Sequence, residues 1–271
     1  MKGFLPVLIV FVLLLLSSTV GGSADFQKGF EAYIKKDYRT ALREFEPLVK
    51  RGHIRAQHSL GVMSYNGYGV PKNDKAAVKW FTLAAEQGYA FAQNNLGQMY
   101  VKGEGVPQNK KTAAKWLTLA AEQGVANAQF MLGVMYSQGQ GVPRNDKTTV
   151  KWFTLAAEQG HVNAQFNLGW MYDNGYGVLK NDKAAVKWFT LAAEQGYASA
   201  QFNLGLMYYF GEGVIQNLVS AHMWLKISAS QGNKDAIKNR DLCTKEMTPA
   251  QIKNAQDLAI ACKKKQYKGC Y

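Results

Sequence analysis

Apolar side chains between residues 92 and 102 recur with the spacing of one helical face. Ala92, Leu96 and Met99 follow the i, i+4, i+7 pattern that places them on one side of an α-helix. Gly103 follows, and a glycine readily takes the left-handed backbone conformation in which many helices end. The pattern therefore predicts a helix near Ala92 to Lys102.

A second apolar stripe follows after a short polar segment. Ala113, Trp116 and Ala120 share one helical face, and Gly124 comes directly after the last turn. This stretch predicts a helix near Thr112 to Gln123. Together with the helix before it, it makes one two-helix unit.

The two-helix unit recurs every 36 residues without insertion or deletion. Leu-Gly, Ala-Gln and a Gly-x-Gly-Val loop return at fixed places in each unit. A single unit cannot bury its apolar face alone, so the units must stack. The sequence predicts an all-α fold, an α/α solenoid of stacked two-helix 36-residue repeats. The five predicted units are 56–91, 92–127, 128–163, 164–199 and 200–235.

One tryptophan stands in every second helix, and we call these residues the tryptophan row. They are large enough to cross to a neighbouring unit, and we expect each to reach the first helix of the next unit. Glycine inside a helix costs up to about 1 kcal/mol. We therefore expect the glycine of Leu-Gly to admit a closely packed helix. The tryptophan row consists of Trp80, Trp116, Trp152, Trp188 and Trp224.

This combination of motifs resembles the Sel1-like repeat family, which is related to the tetratricopeptide repeat. The resemblance implies a right-handed superhelix that binds other proteins. A cysteine-rich branch of the family is associated with β-lactamase activity and carries a Cys pair in each repeat. None of the five units here contains Cys, so that activity is not carried over. In unit four the matching residues are Ala164, Leu168, Gly169, Tyr172, Gly175, Gly177, Val178, Asp182, Lys183, Ala184, Trp188, Ala192, Ala193 and Gly196.

The two ends of the array depart from the repeat. Residues 25–55 predict a degenerate N-terminal repeat with Asp37 at the start of its second helix. Residues 236–271 predict C-terminal capping helices, as repeat arrays require at their ends. Thr248 and Gln251 have the spacing of a capping box at the start of the last helix.

The first 24 residues predict a cleaved signal peptide. Lys2 precedes an apolar run from Phe4 to Leu16, and small residues up to Ala24 follow. The run is short for the roughly 20 apolar residues of a membrane span. We expect a secreted or periplasmic protein without a transmembrane segment in the mature chain.

Three cysteines, all near the C-terminus, exclude a disulfide-dense scaffold. Cys243 and Cys262 lie near the ends of consecutive helices, which are too far apart in an antiparallel pair for a disulfide. Cys262 and Cys270 can meet if the chain turns back at Gly269. We therefore predict a Cys262–Cys270 disulfide, with Cys243 free and buried.

The sequence offers no constellation of catalytic groups. Its four histidines fall in four different units, so we predict no metal site, no cofactor and no enzymatic activity. The glutamate of the recurring Ala-Glu-Gln-Gly segment is expected to form hydrogen bonds at a helix end. A hydrolase of β-lactam or cell-wall material remains the alternative function. The four histidines are His53, His58, His161 and His222.

A binding surface should lie at positions that the repeat does not fix. Trp170 stands where the other units have Val62, Gln98, Val134 and Leu206, and exposed tryptophans often dominate binding energy. Packing between helices is the alternative role of Trp170. Equivalent helical stripes extend this candidate surface, which we place on the concave face. The predicted partner-binding residues are Asn167, Trp170 and Asn174, then Asn95, Gln98 and Lys102, then Asn203, Leu206 and Phe210.

The formal net charge of +13 favours an acidic partner or an anionic surface. Exposed basic residues on second helices either keep the solenoid in solution or bind anionic lipid or polysaccharide. The leading expectation is a monomer that binds a protein or peptide, with no nucleic acid ligand. The basic positions concerned are Lys75, Lys79, Lys147, Lys151, Lys183 and Lys187.

Overall fold

The protein is all-helical, as the sequence predicted. A computed structural model describes residues 24–270, so the predicted signal peptide lies outside the described residues apart from Ala24. No helix in the described part is long and apolar enough to cross a membrane. The helices are α1 (Phe26–Ile34), α2 (Tyr38–Lys50), α3 (Ile54–Asn66), α4 (Asp74–Glu86), α5 (Ala90–Lys102), α6 (Lys110–Glu122), α7 (Ala126–Gln138), α8 (Asp146–Glu158), α9 (Val162–Asn174), α10 (Asp182–Ala193), α11 (Ala198–Phe210), α12 (Leu218–Ala229), α13 (Lys234–Lys245) and α14 (Pro249–Lys264).

Consecutive helices pair from α1 to α12, which gives one degenerate and five regular hairpins. The first helices begin two residues before the predicted unit boundaries, for example at Ala90 rather than Ala92. In each of the five units, the second helix begins after an asparagine. The side chain of this asparagine accepts a hydrogen bond from a backbone nitrogen of the first turn. The capping asparagines are Asn73, Asn109, Asn145, Asn181 and Asn217.

The Gly-x-Gly-Val loop joins the helices of a unit and also contacts the preceding unit. Gly139 ends α7 with a φ of +67°, and Gly141 has a φ of +74°. A Cβ atom on Gly141 would lie 2.2 Å from the carbonyl oxygen of Lys110 at the start of α6. Only glycine satisfies both the backbone angle and this close approach.

The glycine of Leu-Gly seats a large side chain from the second helix of its own unit. A Cβ atom on Gly133 would lie 2.6 Å from the ring of Phe153. In unit two, Gly97 makes room for the side chain of Leu117 in the same way. The expected close approach of a helix is therefore confirmed, and it joins the two helices within a unit.

The tryptophan row packs in the direction opposite to the one we expected. Trp152 on α8 lies in one cluster with Leu117 on α6 and Leu132 on α7. It therefore bridges its own first helix and the second helix of the preceding unit. The expected contact with the first helix of the next unit was wrong, because the side chains of α9 belong to the adjacent cluster around Phe153.

A buried glutamine in the first helix of units two to five connects three helices. Gln129 on α7 is 4% exposed, and its Nε2 donates to the carbonyl oxygen of Ala121 at the end of α6 at 3.1 Å. Its Oε1 accepts from Nε2 of Gln159, which follows α8, at 2.7 Å. The same glutamine pair recurs at 57/87, 93/123, 165/195 and 201/231. We call this pair the glutamine bridge.

The expected hydrogen-bonding role of the neighbouring glutamates was largely wrong. Within residues 24–270, Glu194 is the member of that set with a hydrogen bond, and its Oε1 accepts from the backbone nitrogen of Gly269. The glutamine after each glutamate makes the helix-end contact.

Helices at both ends close the array. Asp37 caps α2 as predicted, and Thr248 and Gln251 form the predicted capping box of α14. Helices α13 and α14 both pack on α12. The chain then turns back, and Cys262 and Cys270 form a disulfide with a Cα–Cα distance of 5.5 Å, while Cys243 is free and buried.

His58 occupies a position where units three to five carry phenylalanine. Its ring lies 5.6 Å from that of Phe81 and 5.1 Å from that of Tyr89. Nε2 of His58 lies 3.1 Å from Nδ2 of Asn95, which can only donate, so the imidazole acts as the acceptor. Burial lowers the pKa of His58 from 6.5 to about 4.

We predict that Gln129→Met destabilises the array by about 2 kcal/mol, because it leaves the buried carbonyl of Ala121 without its donor and removes the bond to Gln159. Methionine keeps the length of the side chain. Gln256→Met on the exposed face of α14 is the control and should change the free energy of unfolding by less than about 0.5 kcal/mol. Urea unfolding measures both, and equal effects of the two variants would show that the glutamine bridge contributes nothing specific.

We predict that His58 makes the protein less stable in mild acid. The unfolded chain binds a proton near pH 6.5 and the folded chain near pH 4, so stability falls as the pH drops between these values. At pH 5 the loss from this residue is about 2 kcal/mol. His58→Phe keeps the ring contact, so its unfolding free energy should fall less between pH 7.5 and pH 5. The same loss in variant and wild type would contradict the assignment.

Candidate partner-binding site

The side chains of α3, α5, α7, α9 and α11 that do not pack inside the array form one surface, here called the first-helix face. Two clefts lie on it, each between the first helices of successive units. The stripe of unit two lines one cleft, and Asn167 and Trp170 of the stripe of unit four line the other, whereas Asn174 lines neither.

The larger of these two clefts, the Trp170 cleft, has a volume of about 350 Å³. Trp170 on α9 is 44% exposed, and its ring stacks on Tyr176 with centroids 5.0 Å apart and planes 12° from parallel. Val134 and Phe153 supply further apolar wall, and Asn167 adds an amide. The cleft therefore combines an exposed aromatic pair with polar groups at its margin.

Charged and polar groups surround the aromatic pair. Arg144 donates to both carboxylate oxygens of Asp146 at 3.1 and 3.2 Å, and this hydrogen bonding raises the pKa of the guanidinium. The amides of Asn167 and Asn174 donate to carbonyl oxygens of their own helix, those of Asn163 and Trp170. Their amide orientation is thereby fixed, with the oxygen of each amide free of hydrogen bonds within the described residues.

The second cleft, the Asn95 cleft, lies between α3 and α5 and has a volume of about 270 Å³. Asn95, Gln98 and Lys102, the stripe of unit two, line it. Glu104 receives a hydrogen bond from the hydroxyl of Tyr65 at 2.8 Å and an ion pair from Lys102 at 3.8 Å. This cleft has no tryptophan among its lining residues.

The stripe in unit five does not form an equivalent surface. Leu206 is partly buried and packs against the apolar cluster beneath the C-terminal helices. The cap covers this side chain, whereas the equivalent Trp170 faces solvent. Asn203 is partly buried, and Phe210 is 59% exposed beside Tyr209.

Two of the four histidines cap helices. His53 and His161 cap α3 and α9 by accepting from backbone nitrogens with Nδ1. Burial lowers the pKa of His161 and of His222. Across residues 24–270, no group of three or more His, Cys, Asp or Glu side chains could hold a metal ion.

Several cleft residues escaped the sequence analysis. Tyr176, Arg144, Ser137 and Gln138 come from a loop or from the neighbouring unit. Helical spacing relates residues on one helix only. The one available signal was that Tyr176 stands where units two, three and five carry Glu104, Gln140 and Glu212, although unit one also has a tyrosine there, Tyr68.

Comparison with known proteins gives a consistent family match. The family model described as Sel1 repeat matches residues 54–89, 90–125, 126–161, 162–197 and 198–233, more than half of the chain. A search of curated proteins returned no match.

Two solved structures support the same relationship. The Sel1 repeat protein from Oxalobacter formigenes is 36% identical with a TM-score of 0.73, covering 80% of this chain and 86% of its own. The protective antigen c5321 from uropathogenic Escherichia coli, described as having an SLR fold, is 33% identical with a TM-score of 0.78. That match covers 86% of this chain and 53% of c5321, so this chain spans about half the length of that relative. The matched repeats and both structures show that the chain belongs to the Sel1 repeat family.

Proposed function

We propose that this protein binds a protein or peptide partner at the Trp170 cleft, outside the cytoplasm. The Sel1 repeat solenoid is a protein-interaction type of scaffold. The specific surface and the partner class are our proposal.

The exposed Trp170–Tyr176 stack carries the proposal. The repeat does not require either residue, because other units fold with Val, Gln or Leu at the first position, and units two, three and five fold with Glu or Gln at the second. Two rigid rings already held in parallel lose little conformational freedom when a partner covers them. Tryptophan and tyrosine are the residues in which binding energy concentrates at protein interfaces.

The surrounding groups suit a peptide backbone. Asn167, Ser137 and Gln138 offer hydrogen-bonding groups beside the rings, and such polar groups pair with main-chain amides. A cleft of about 350 Å³ is at the small end of ligand pockets, so one or two partner side chains fill it. Arg144 at the margin favours an acidic group on the partner.

The Asn95 cleft offers a second contact for the same partner. It lies two units from the Trp170 cleft, and helices packed about 10 Å apart place the two clefts about 20 Å from one another. An extended peptide of about six residues spans this distance at about 3.3 Å per residue. A longer partner segment would therefore occupy both clefts.

The disulfide supports a location outside the cytoplasm. Disulfides persist in oxidising compartments, and the Cys262–Cys270 bond closes the C-terminal turn. The predicted signal peptide points to the same location.

We expect Trp170→Ala to weaken peptide binding by about thirtyfold, which corresponds to an interface hot spot of about 2 kcal/mol. Peptides selected from a displayed random library against the wild-type protein provide the probe. Fluorescence anisotropy gives the dissociation constant for each variant.

Phe91→Ala is the matched control because Phe91 is 55% exposed and does not line either cleft. Its dissociation constant should stay within about twofold of wild type. Selected peptides that bind Trp170→Ala as tightly as wild type would exclude the Trp170 cleft as the binding site.

A further inference from the structure

Two rows of basic residues, here called the basic rows, cross five successive second helices from α2 to α10. Each step along a row is 36 residues, and all ten side chains are exposed. The rows therefore follow the repeat with one member of each row per helix. The first row is Arg39, Lys75, Lys111, Lys147 and Lys183, and the second is Arg43, Lys79, Lys115, Lys151 and Lys187.

The helices arrange these charges as a narrow strip. The two members on one helix are four residues apart and share a face, with Cβ atoms about 6 Å apart. Packed helices are about 10 Å apart, so five helices extend each row to about 40 Å. The strip is therefore long in the direction of the solenoid and only two charges wide.

Carboxylates of the same helices neutralise few of the positive charges in the basic rows. The aspartates at the starts of three helices pair with a cation of the preceding loop instead. Arg43 is the member of the basic rows with an ion pair among residues 24–270, to Glu44 at 3.7 Å. On α4, α6 and α8 the exposed glutamates, such as Glu86, lie seven residues beyond the second row, about 10 Å along the helix. On α2, Glu46 lies beside Arg39 and Arg43. The loop pairs are Lys72–Asp74 at 3.7 Å, Arg144–Asp146 at 3.1 Å and Lys180–Asp182 at 3.4 Å.

The arrangement is unfavourable for the free protein. Like charges at i and i+4 destabilise a helix, and here the pair recurs in five helices. Aromatic contacts also hold part of the second row in place. The ammonium groups of Lys79, Lys151 and Lys187 lie 5.3, 5.1 and 5.0 Å from the ring centres of the adjacent tryptophans. A repulsive strip that is partly held in position suits an anionic ligand that neutralises it.

The basic rows do not continue onto α12, the second helix that the C-terminal helices cover. The equivalent positions on α12 are Val219 and Met223, and Met223 is buried in the cluster that includes Cys262 of α14. The charges are therefore present on the uncovered second helices and absent beneath the cap.

We infer that the basic rows bind an extended polyanionic chain, namely an acidic polysaccharide. A single chain with regularly spaced charges matches a strip that is long, narrow and evenly charged. The phosphate strands of a DNA duplex wind around its axis once per turn of about 34 Å, so a strip about 40 Å long does not follow either strand over its length. Binding to a bilayer surface uses large, exposed apolar side chains among the cations. The apolar side chains between the two rows, such as Leu42, Val78 and Val150, are partly buried. The partly exposed Leu83 and Leu119 lie one turn beyond the second row.

The test measures binding of heparin oligosaccharides of increasing length and of polygalacturonate to the full chain by titration calorimetry. A variant with Lys75, Lys111, Lys147 and Lys183 each changed to Gln should bind at least about tenfold more weakly. Affinity should rise with oligosaccharide length until the strip is filled. It should vanish in 1 M NaCl, where the Debye length is about 3 Å.

The control variant changes Lys234, Lys245, Lys253 and Lys264 to Gln, which removes the same charge from exposed positions on the C-terminal helices. It should keep wild-type affinity, as should Trp170→Ala, so this test is independent of the proposed function. Equal weakening by both lysine variants, or no weakening by either, would overturn the inference. So would tighter row-dependent binding to a DNA duplex or to phosphatidylglycerol vesicles than to either polysaccharide. Circular dichroism establishes that each variant is folded.

Discussion

The glutamine bridge is the interaction on which the register of the whole array depends. A buried amide must satisfy both its donor and its acceptor, and Gln129 does so with the end of the preceding second helix and the end of its own. Apolar contacts between helices tolerate small slips, whereas these two directional bonds do not. The bridge therefore fixes how each first helix sits between two second helices, and its recurrence fixes the array.

Two faces with different chemistry follow from that register. First helices present the clefts, where departures from the repeat such as Trp170 and Tyr176 create a local aromatic site. Second helices present the basic rows, where the repeat itself distributes charge evenly over about 40 Å. One side of the molecule is suited to a discrete segment of a partner, and the other to a polymer that repeats as the protein does.

The sequence could predict much of the fold because its strongest signals are local. Gly103 and Gly124 mark helix ends through their own backbone preference, and Thr248 with Gln251 marks a cap through a spacing of three residues. The direction of Trp152 could not be read in this way, because periodicity gives the face of a helix and not the neighbour that covers it. The partial burial of Leu206 could not be predicted for a related reason, since the covering helices come from a later, non-repeating segment.

Of the candidate site, the sequence predicted only residues that lie on one helix. Asn167 and Trp170 share a face of α9, so helical spacing found both. Arg144 and Tyr176 reach the same cleft through loops, and their position depends on how units three and four stack. The glutamine bridge could not be predicted from the sequence either, because Gln129 and Gln159 are 30 residues apart and each resembles an ordinary polar surface residue.

The central claim is that each unit contacts its neighbours through equivalent residues, so that one unit can take the place of another. Deleting residues 90–125 tests it directly, because Gln129 would then meet Ala85 in place of Ala121 while units three and four keep the Trp170 cleft. Circular dichroism with thermal unfolding, together with peptide binding, is the measurement. We predict a folded, cooperatively melting protein with Trp170-dependent binding unchanged within about twofold for peptides that occupy that cleft alone. An unfolded or aggregated product, or loss of that binding, would contradict the claim.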